Sequence, residues 1–112
     1  MPLIEIVASP ATLGGRERAD VLRAVNGAVA TALSVRPDAA WSTWRDIDEE
    51  RYVIGAEDAP PQSGPLPAIV HVYARRTPEE WEAIVGAIER ALRELLVLDE
   101  AAVLITTQPF RG

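Results

Sequence analysis

The second residue of the chain is a proline, in Met1-Pro2-Leu3-Ile4-Glu5-Ile6-Val7. Its side chain is small, so removal of Met1 is expected and leaves Pro2 as the new N-terminus. There it is a secondary amine, not an amide. It carries a lone pair, it titrates, and its ring holds it rigidly. No other residue of the sequence offers that chemistry. As an internal residue Pro2 does no more than start an edge strand, a tolerated place for proline. His71, the one histidine, lies between apolar neighbours and reads as a packed or surface strand residue. Asp46, Asp48, Glu49 and Glu50 cluster without a nearby His or Cys. They read as a solvated turn rather than a metal site. Trp41, Trp44 and Trp81 read as core or subunit contacts, with Trp41 also a candidate pocket wall.

Composition narrows the partners. The chain has 112 residues, enough for one domain with one core. Apolar residues are 48% and charged residues 25%, the balance of a soluble globular protein. The net charge of −6 supplies no basic stripe for nucleic acid. A few arginines still suffice for a small anionic substrate. Without cysteine there is no disulfide, thiolate nucleophile or Cys-based metal site. No apolar run approaches the ~18 residues of a membrane span, and no basic region precedes the first apolar stretch. A cytoplasmic location with no membrane partner is the expectation.

The elements that must position Pro2 follow from periodicity. Leu3 to Ala8 is a strand apolar on both faces except at Glu5, so it is expected to be covered on both. Val21, Leu22, Val25, Val29 and Leu33 fall on one face of a helix predicted over Arg16–Leu33. Gly27 in its middle suggests a close approach of helix to sheet. Ala40–Ile47 reads as a second strand, with Trp41 and Thr43 on one face and Trp44 on the other. A short extended piece, Arg51–Glu57, and a surface connection, Ala59–Pro65, follow. Pro67–Ala74 then echoes Pro2–Ala8 sixty-five positions on. Thr77-Pro78-Glu79-Glu80 combines an N-cap, a proline at the first helical position and a glutamate three after the cap. The helix it starts runs to about Leu98-Asp99, with Trp81, Ile84, Val85, Ile88, Leu92 and Leu95 on one face. Ala101–Thr107 is the last strand. The reading is an α/β (α+β) fold of two tandem βαβ units, 1–58 and 67–112. They form one domain, a four-stranded sheet with both helices on one face. The second face has no helix left to cover it, so an oligomer is expected.

A proline after Met heading a strand, a Gly15-Arg16 turn, an amphipathic helix, a strand, then Tyr52-Val53-Ile54-Gly55-Ala56-Glu57: the order resembles the tautomerase superfamily. The length and the doubled βαβ are similar to its fused members, such as malonate semialdehyde decarboxylase, the cis-3-chloroacrylic acid dehalogenases and macrophage migration inhibitory factor. The resemblance implies a homotrimer, no cofactor or metal, and Pro2 as the acid–base group for a small carboxylate substrate. It places Arg16 on the turn that holds a substrate carboxylate in 4-oxalocrotonate tautomerase, and Tyr52 on that enzyme's active-site phenylalanine. It sets Arg75, and approximately Arg76, where the decarboxylase and dehalogenase carry arginines. Guanidinium forks suit carboxylates. Trp41 stands where the tautomerase has a second arginine, a departure. Asp38 lies one residue from the decarboxylase's aspartate. Val103 and Ile105 occupy the strand on which the dehalogenase has a tyrosine, so hydration and dehalogenation are not expected. The same strand lacks the tyrosine and asparagine of the inhibitory factor, so its phenylpyruvate pocket is not expected either.

The sequence therefore supports a Pro2-dependent tautomerase (4-oxalocrotonate tautomerase-like isomerase) acting on an enol or unsaturated keto acid. One alternative is a decarboxylase of a β-keto or semialdehyde acid assisted by Asp38. The other is a non-catalytic, ferredoxin-like ligand-binding oligomer, which would tolerate retention of Met1.

Overall fold

A computed structural model describes residues 2–48, 67–98 and 103–109 of the chain. Strand β1 is Leu3–Ala8, helix α1 Arg18–Leu33, and β2 Trp41–Asp46. The second unit has β3 at Ala68–Tyr73, α2 at Pro78–Leu95 and β4 at Val103–Gln108. Tyr52, the Arg51–Glu57 piece and the Ala59–Pro65 connection lie outside the described residues. The sheet order is β2-β1-β3-β4. β1 runs parallel to β2 and β3 to β4, while the central pair β1–β3 is antiparallel. The two βαβ units thus meet along β1 and β3.

One core holds the layers together. Ile4 and Ile6 of β1 and Val70 and Val72 of β3 are fully buried. They pack with Val21, Val25 and Val29 of α1 and Ile84, Ile88 and Leu92 of α2 in one cluster. Each such aliphatic side chain contributes ~1.5–3 kcal/mol by leaving water. Both helices therefore cover the same sheet face, as the period-3.6 pattern requires. Trp44 and Trp81 pack against this cluster, whereas Trp41 is 58% exposed.

Several boundaries differ from the sequence reading. α1 begins at Arg18, with Glu17 as an N-cap that makes no side-chain hydrogen bond, so Arg16 lies in the preceding turn. α1 ends at Leu33 as expected, and the C-cap Ser34 has a left-handed φ of 54° and donates its N–H to the Ala30 and Thr31 carbonyls. α2 stops at Leu95 rather than Leu98, because Leu96 is extended and Val97 N–H turns to the Thr12 carbonyl at 2.8 Å. A Cβ on Gly27 would meet nothing within 4 Å, so no close helix–sheet approach demands that glycine. Gly14 is the constrained one: its φ is +57° and a Cβ would sit 2.8 Å from Val97 Cγ2. Of the acidic cluster Asp46 and Asp48 are exposed, as a solvated reading expects, and Glu49 and Glu50 lie outside the described residues; Asp46 has a structural role besides. It ends β2, accepts from Trp44 Nε1 at 2.8 Å and takes both Arg18 Nη2 and Nε.

The internal repeat is also offset by one residue from its sequence echo. Burial alternates with opposite phase in β1 and β3 when they are aligned sixty-five apart. An odd offset would send every side chain to the other face. The buried series superimposes at 66 instead: Pro2 with Ala68, Ile4 with Val70, Ile6 with Val72, Ala8 with Ala74. The counterpart of Pro2 is Ala68, and Pro67 lies one place before it.

Candidate functional site

The antiparallel register of β1 and β3 decides what surrounds Pro2. Leu3 pairs with Tyr73, so Pro2 lies opposite Ala74, and Arg75 and Arg76 follow at the same end of the sheet. β2 begins there too: the Pro2 carbonyl accepts from Trp41 N–H at 3.0 Å. β4 ends there, with the Gln108 carbonyl accepting from Ala74 N–H at 3.1 Å. The Pro2 side chain is fully buried. Its ring is packed under the start of the sheet, on the helix-facing side of the alternation shared with Ile4 and Ile6.

Arg76 is held at this end by the cap of α2. Thr77 Oγ1 accepts from Glu80 N–H and Glu80 Oε1 accepts from Thr77 N–H, each at 3.2 Å. The other Glu80 oxygen takes Arg76 Nη1 at 3.1 Å. This is the capping box that the Thr-Pro-Glu-Glu pattern predicts. The Thr77 N–H, then the Thr77 hydroxyl and Arg76, hold the Glu80 carboxyl below its ordinary range. Arg76 has a side chain only 20% exposed, and its Nε is buried with no hydrogen-bond partner. A buried guanidinium N–H without an acceptor is costly, and a carboxylate reaching it would remove that cost. Arg75 is exposed beside it.

The other expected residues are placed as follows. Trp41 heads β2 next to Pro2. Asp38 lies in the short 3-10 turn Pro37–Ala39 just before Ala40, at the same end. It is exposed and pairs with Arg36 at 3.3 Å. Arg16 is not brought to Pro2 within one chain. It follows the far end of β1, about 20 Å along the strand at ~3.3 Å per residue, and is exposed. Sequence reasoning missed Tyr73 and Gln108, which stand in the row of Trp41 and Leu3. Tyr73 lies two residues before Arg75, but only the antiparallel pairing tells which end of β1 it joins.

The sheet face away from the helices carries three rows. Trp41, Leu3, Tyr73 and Gln108 form the row nearest Pro2, and Arg45, Val7, Ile69 and Leu104 the farthest. Thr43, Glu5, His71 and Thr106 run between them. Arg45 approaches Glu5 at 3.7 Å, and His71 Nδ1 lies 2.7 Å from the Thr106 hydroxyl. The face expected to be apolar is thus two largely apolar rows around a polar one. An open groove of about 520 Å³ lies between α2 and the β4 edge, lined by Trp81, Val85, Gly86 and Thr107 among others. Among the described residues, none of the expected site residues lines it. Among the described residues no helix is long and apolar enough to cross a membrane.

No family model and no curated protein matches the chain. Solved structures do. Pt0534 inactivated by 2-oxo-3-pentynoate is 17% identical with a TM-score of 0.76, over 96% of this chain and 85% of that one. FG41 malonate semialdehyde decarboxylase inhibited by 3-bromopropiolate is 21% identical with a TM-score of 0.68, over 96% and 82%. A fused 4-OT, a symmetric trimer, is 16% identical with a TM-score of 0.74, over 96% and 85%. The chain has the fold of the tautomerase superfamily. Within that fold it has the two-unit βαβ arrangement, with both units in one chain.

Proposed function

We propose that the protein is a Pro2-dependent tautomerase acting on a small unsaturated keto acid, working as a homotrimer after loss of Met1. The observation that carries this reading is the register that puts a buried Pro2 at one sheet end with Arg75 and Arg76. A free α-amine titrates near pH 7.7–8.0. Burial and neighbouring guanidinium groups both disfavour its charged form. The amine is then largely neutral at the pH where it works, which suits a general base.

The proton balance is simple. The neutral Pro2 nitrogen takes the proton of the enol hydroxyl as the C=O bond forms. The electron pair of the C=C bond then takes that proton back from nitrogen onto carbon, and the amine is restored. Arg76 and Arg75 hold the carboxylate and keep the carbon within reach of the nitrogen. One chain leaves this end of the sheet open. Packing of further copies against the uncovered face, as the symmetric fused 4-OT trimer suggests, would supply the missing walls. Such packing is also the route by which Arg16 or Tyr52 would reach a Pro2, in another copy.

The second reading keeps Pro2 and changes the reaction to decarboxylation, with Asp38 assisting. It is supported by the position of Asp38 at the Pro2 end, and disfavoured by its exposure and its pairing with Arg36. The deciding experiment follows ketonisation of 2-hydroxymuconate and phenylenolpyruvate by ultraviolet absorbance, on protein shown by intact mass to lack Met1. Turnover that collapses in Pro2→Ala supports the tautomerase. Release of CO₂ from malonate semialdehyde without enol turnover supports the decarboxylase. Neither activity on that protein supports a binding module.

A further inference from the structure

We infer that Glu80 is a positioning residue for substrate binding: it grips one end of the Arg76 guanidinium and so keeps the other edge of the fork open to a carboxylate. The inference rests on the Pro2 reading above and concerns how the same site holds its substrate. Arg76 directly precedes the N-cap of α2, so its cation stands at the positive end of the helix dipole, where a cation is disfavoured. It is drawn in all the same. Arg76 and Glu80 form the least exposed ion pair among the described residues. The Glu89–Arg93 pair has the same spacing on the same helix, yet both its side chains are half-exposed, where such pairs contribute little.

Arg18 shows what a guanidinium does in this protein when one edge of its fork meets a carboxylate. Its Nε donates to Asp46 at 3.2 Å and its Nη2 at 2.9 Å. In Arg76 the carboxylate of Glu80 takes Nη1 instead, at 3.1 Å, and Nε is left buried without a partner. Glu80 cannot swing round to that edge, because its other oxygen is held by the Thr77 N–H at 3.2 Å. The same N–H is the chief reason that its carboxyl lies below the ordinary range, so Glu80 is an anion at neutral pH. The capping box therefore fixes the anion, and the anion fixes the cation. Arg75 is exposed beside Arg76 and adds positive charge to this end without belonging to the box. Loss of Glu80 should thus weaken carboxylate binding without abolishing it. Glu79 carries the same charge in the same first turn, but the pair is made by Glu80.

The test separates the cap from the cation. Glu80→Gln keeps an amide oxygen for the Thr77 N–H, as Gln does in a capping box, and removes the charge that grips Arg76. It should raise KM for 2-hydroxymuconate about tenfold and leave kcat within about twofold, the pattern of lost ground-state binding. In an Arg76→Gln background the same change should move KM by less than about twofold. Thr77→Ala loosens the cap but leaves its backbone N–H, and Glu79→Gln removes an equal charge from the same turn. Each should keep KM within about twofold. An unchanged KM in Glu80→Gln, an equal rise in either control, or the same rise without Arg76 would overturn the inference and leave Glu80 a helix cap alone. If the unmodified sequence turns over neither enol, the Pro2 reading fails separately, and NMR of the Arg76 Nε–H decides. A signal that shifts with added pyruvate, and needs about tenfold more pyruvate in Glu80→Gln, supports the inference. No shift, or equal titrations in the two proteins, overturns it.

Discussion

The two ends of the sheet are built from the same parts and equipped differently. At one end β1 begins and β3 runs out; at the other β3 begins and β1 runs out. Each end has an arginine immediately before the N-cap of a helix, Arg76 before Thr77 and Arg16 before Glu17. Arg76 is fixed, because Thr77 and Glu80 close a capping box and Glu80 also binds the guanidinium. Arg16 is exposed, and its N-cap makes no side-chain bond. A cation held at that end is Arg18, and it is spent on Asp46, tying α1 to β2. The strand heads differ as well: the proposed removal of Met1 would give Pro2 a free amine, while its counterpart Ala68 is an internal amide. A duplicated unit thus gives a fold with near two-fold symmetry, and chemistry is expected at one end alone.

The largest expected break in this comparison is Pro2→Ala. It should lower kcat/KM by about 10²–10⁴-fold, the usual share of a positioned acid–base group. Pro67→Ala at the opposite end should leave turnover within about twofold, since Pro67 is neither a terminal amine nor in register with Pro2. Both are read by the same absorbance assay. Next in size is Gly14→Ala, in the turn that carries Arg16. Its φ of +57° and the approach of Val97 Cγ2 predict a loss of ~1–3 kcal/mol, measured by urea unfolding.

Smaller effects test the two N-caps against each other. Thr77→Ala opens the box and should cost ~1 kcal/mol, whereas Glu17→Ser supplies the absent cap and should gain ~0.5 kcal/mol. The smallest effect is in pH dependence. The folded pKa of Glu80 is below its ordinary value of 4.5, so the unfolded chain binds more protons there. Its contribution to stability is complete above the ordinary value and is lost as pH falls through the lowered one. Unfolding midpoints measured from about pH 6 to about pH 3 should therefore show an acid slope that Glu80→Gln reduces.

Much of this was legible without coordinates. Thr77-Pro78-Glu79-Glu80 names its own helix start, because a capping box is local chemistry within four residues. The apolar periods of both helices and the strands named the core for the same reason. Register was not local. The echo of Pro67–Ala74 on Pro2–Ala8 aligned two prolines, and burial moved the alignment by one residue, since facing is set by what packs on the sheet. Nor did the sequence show that Asp46 would be consumed in holding Arg18, because twenty-eight positions separate that pair.

The sequence by itself determined the elements, the order βαβ-βαβ, and the one residue able to act as a terminal secondary amine. These depend on side-chain identity and short-range periodicity. Only the tertiary structure decided that β1 and β3 run antiparallel. That single pairing sends Arg75 and Arg76 to Pro2 and leaves Arg16 a strand's length away. Strand direction is settled by which faces the helices bury together, and no window of sequence contains that information.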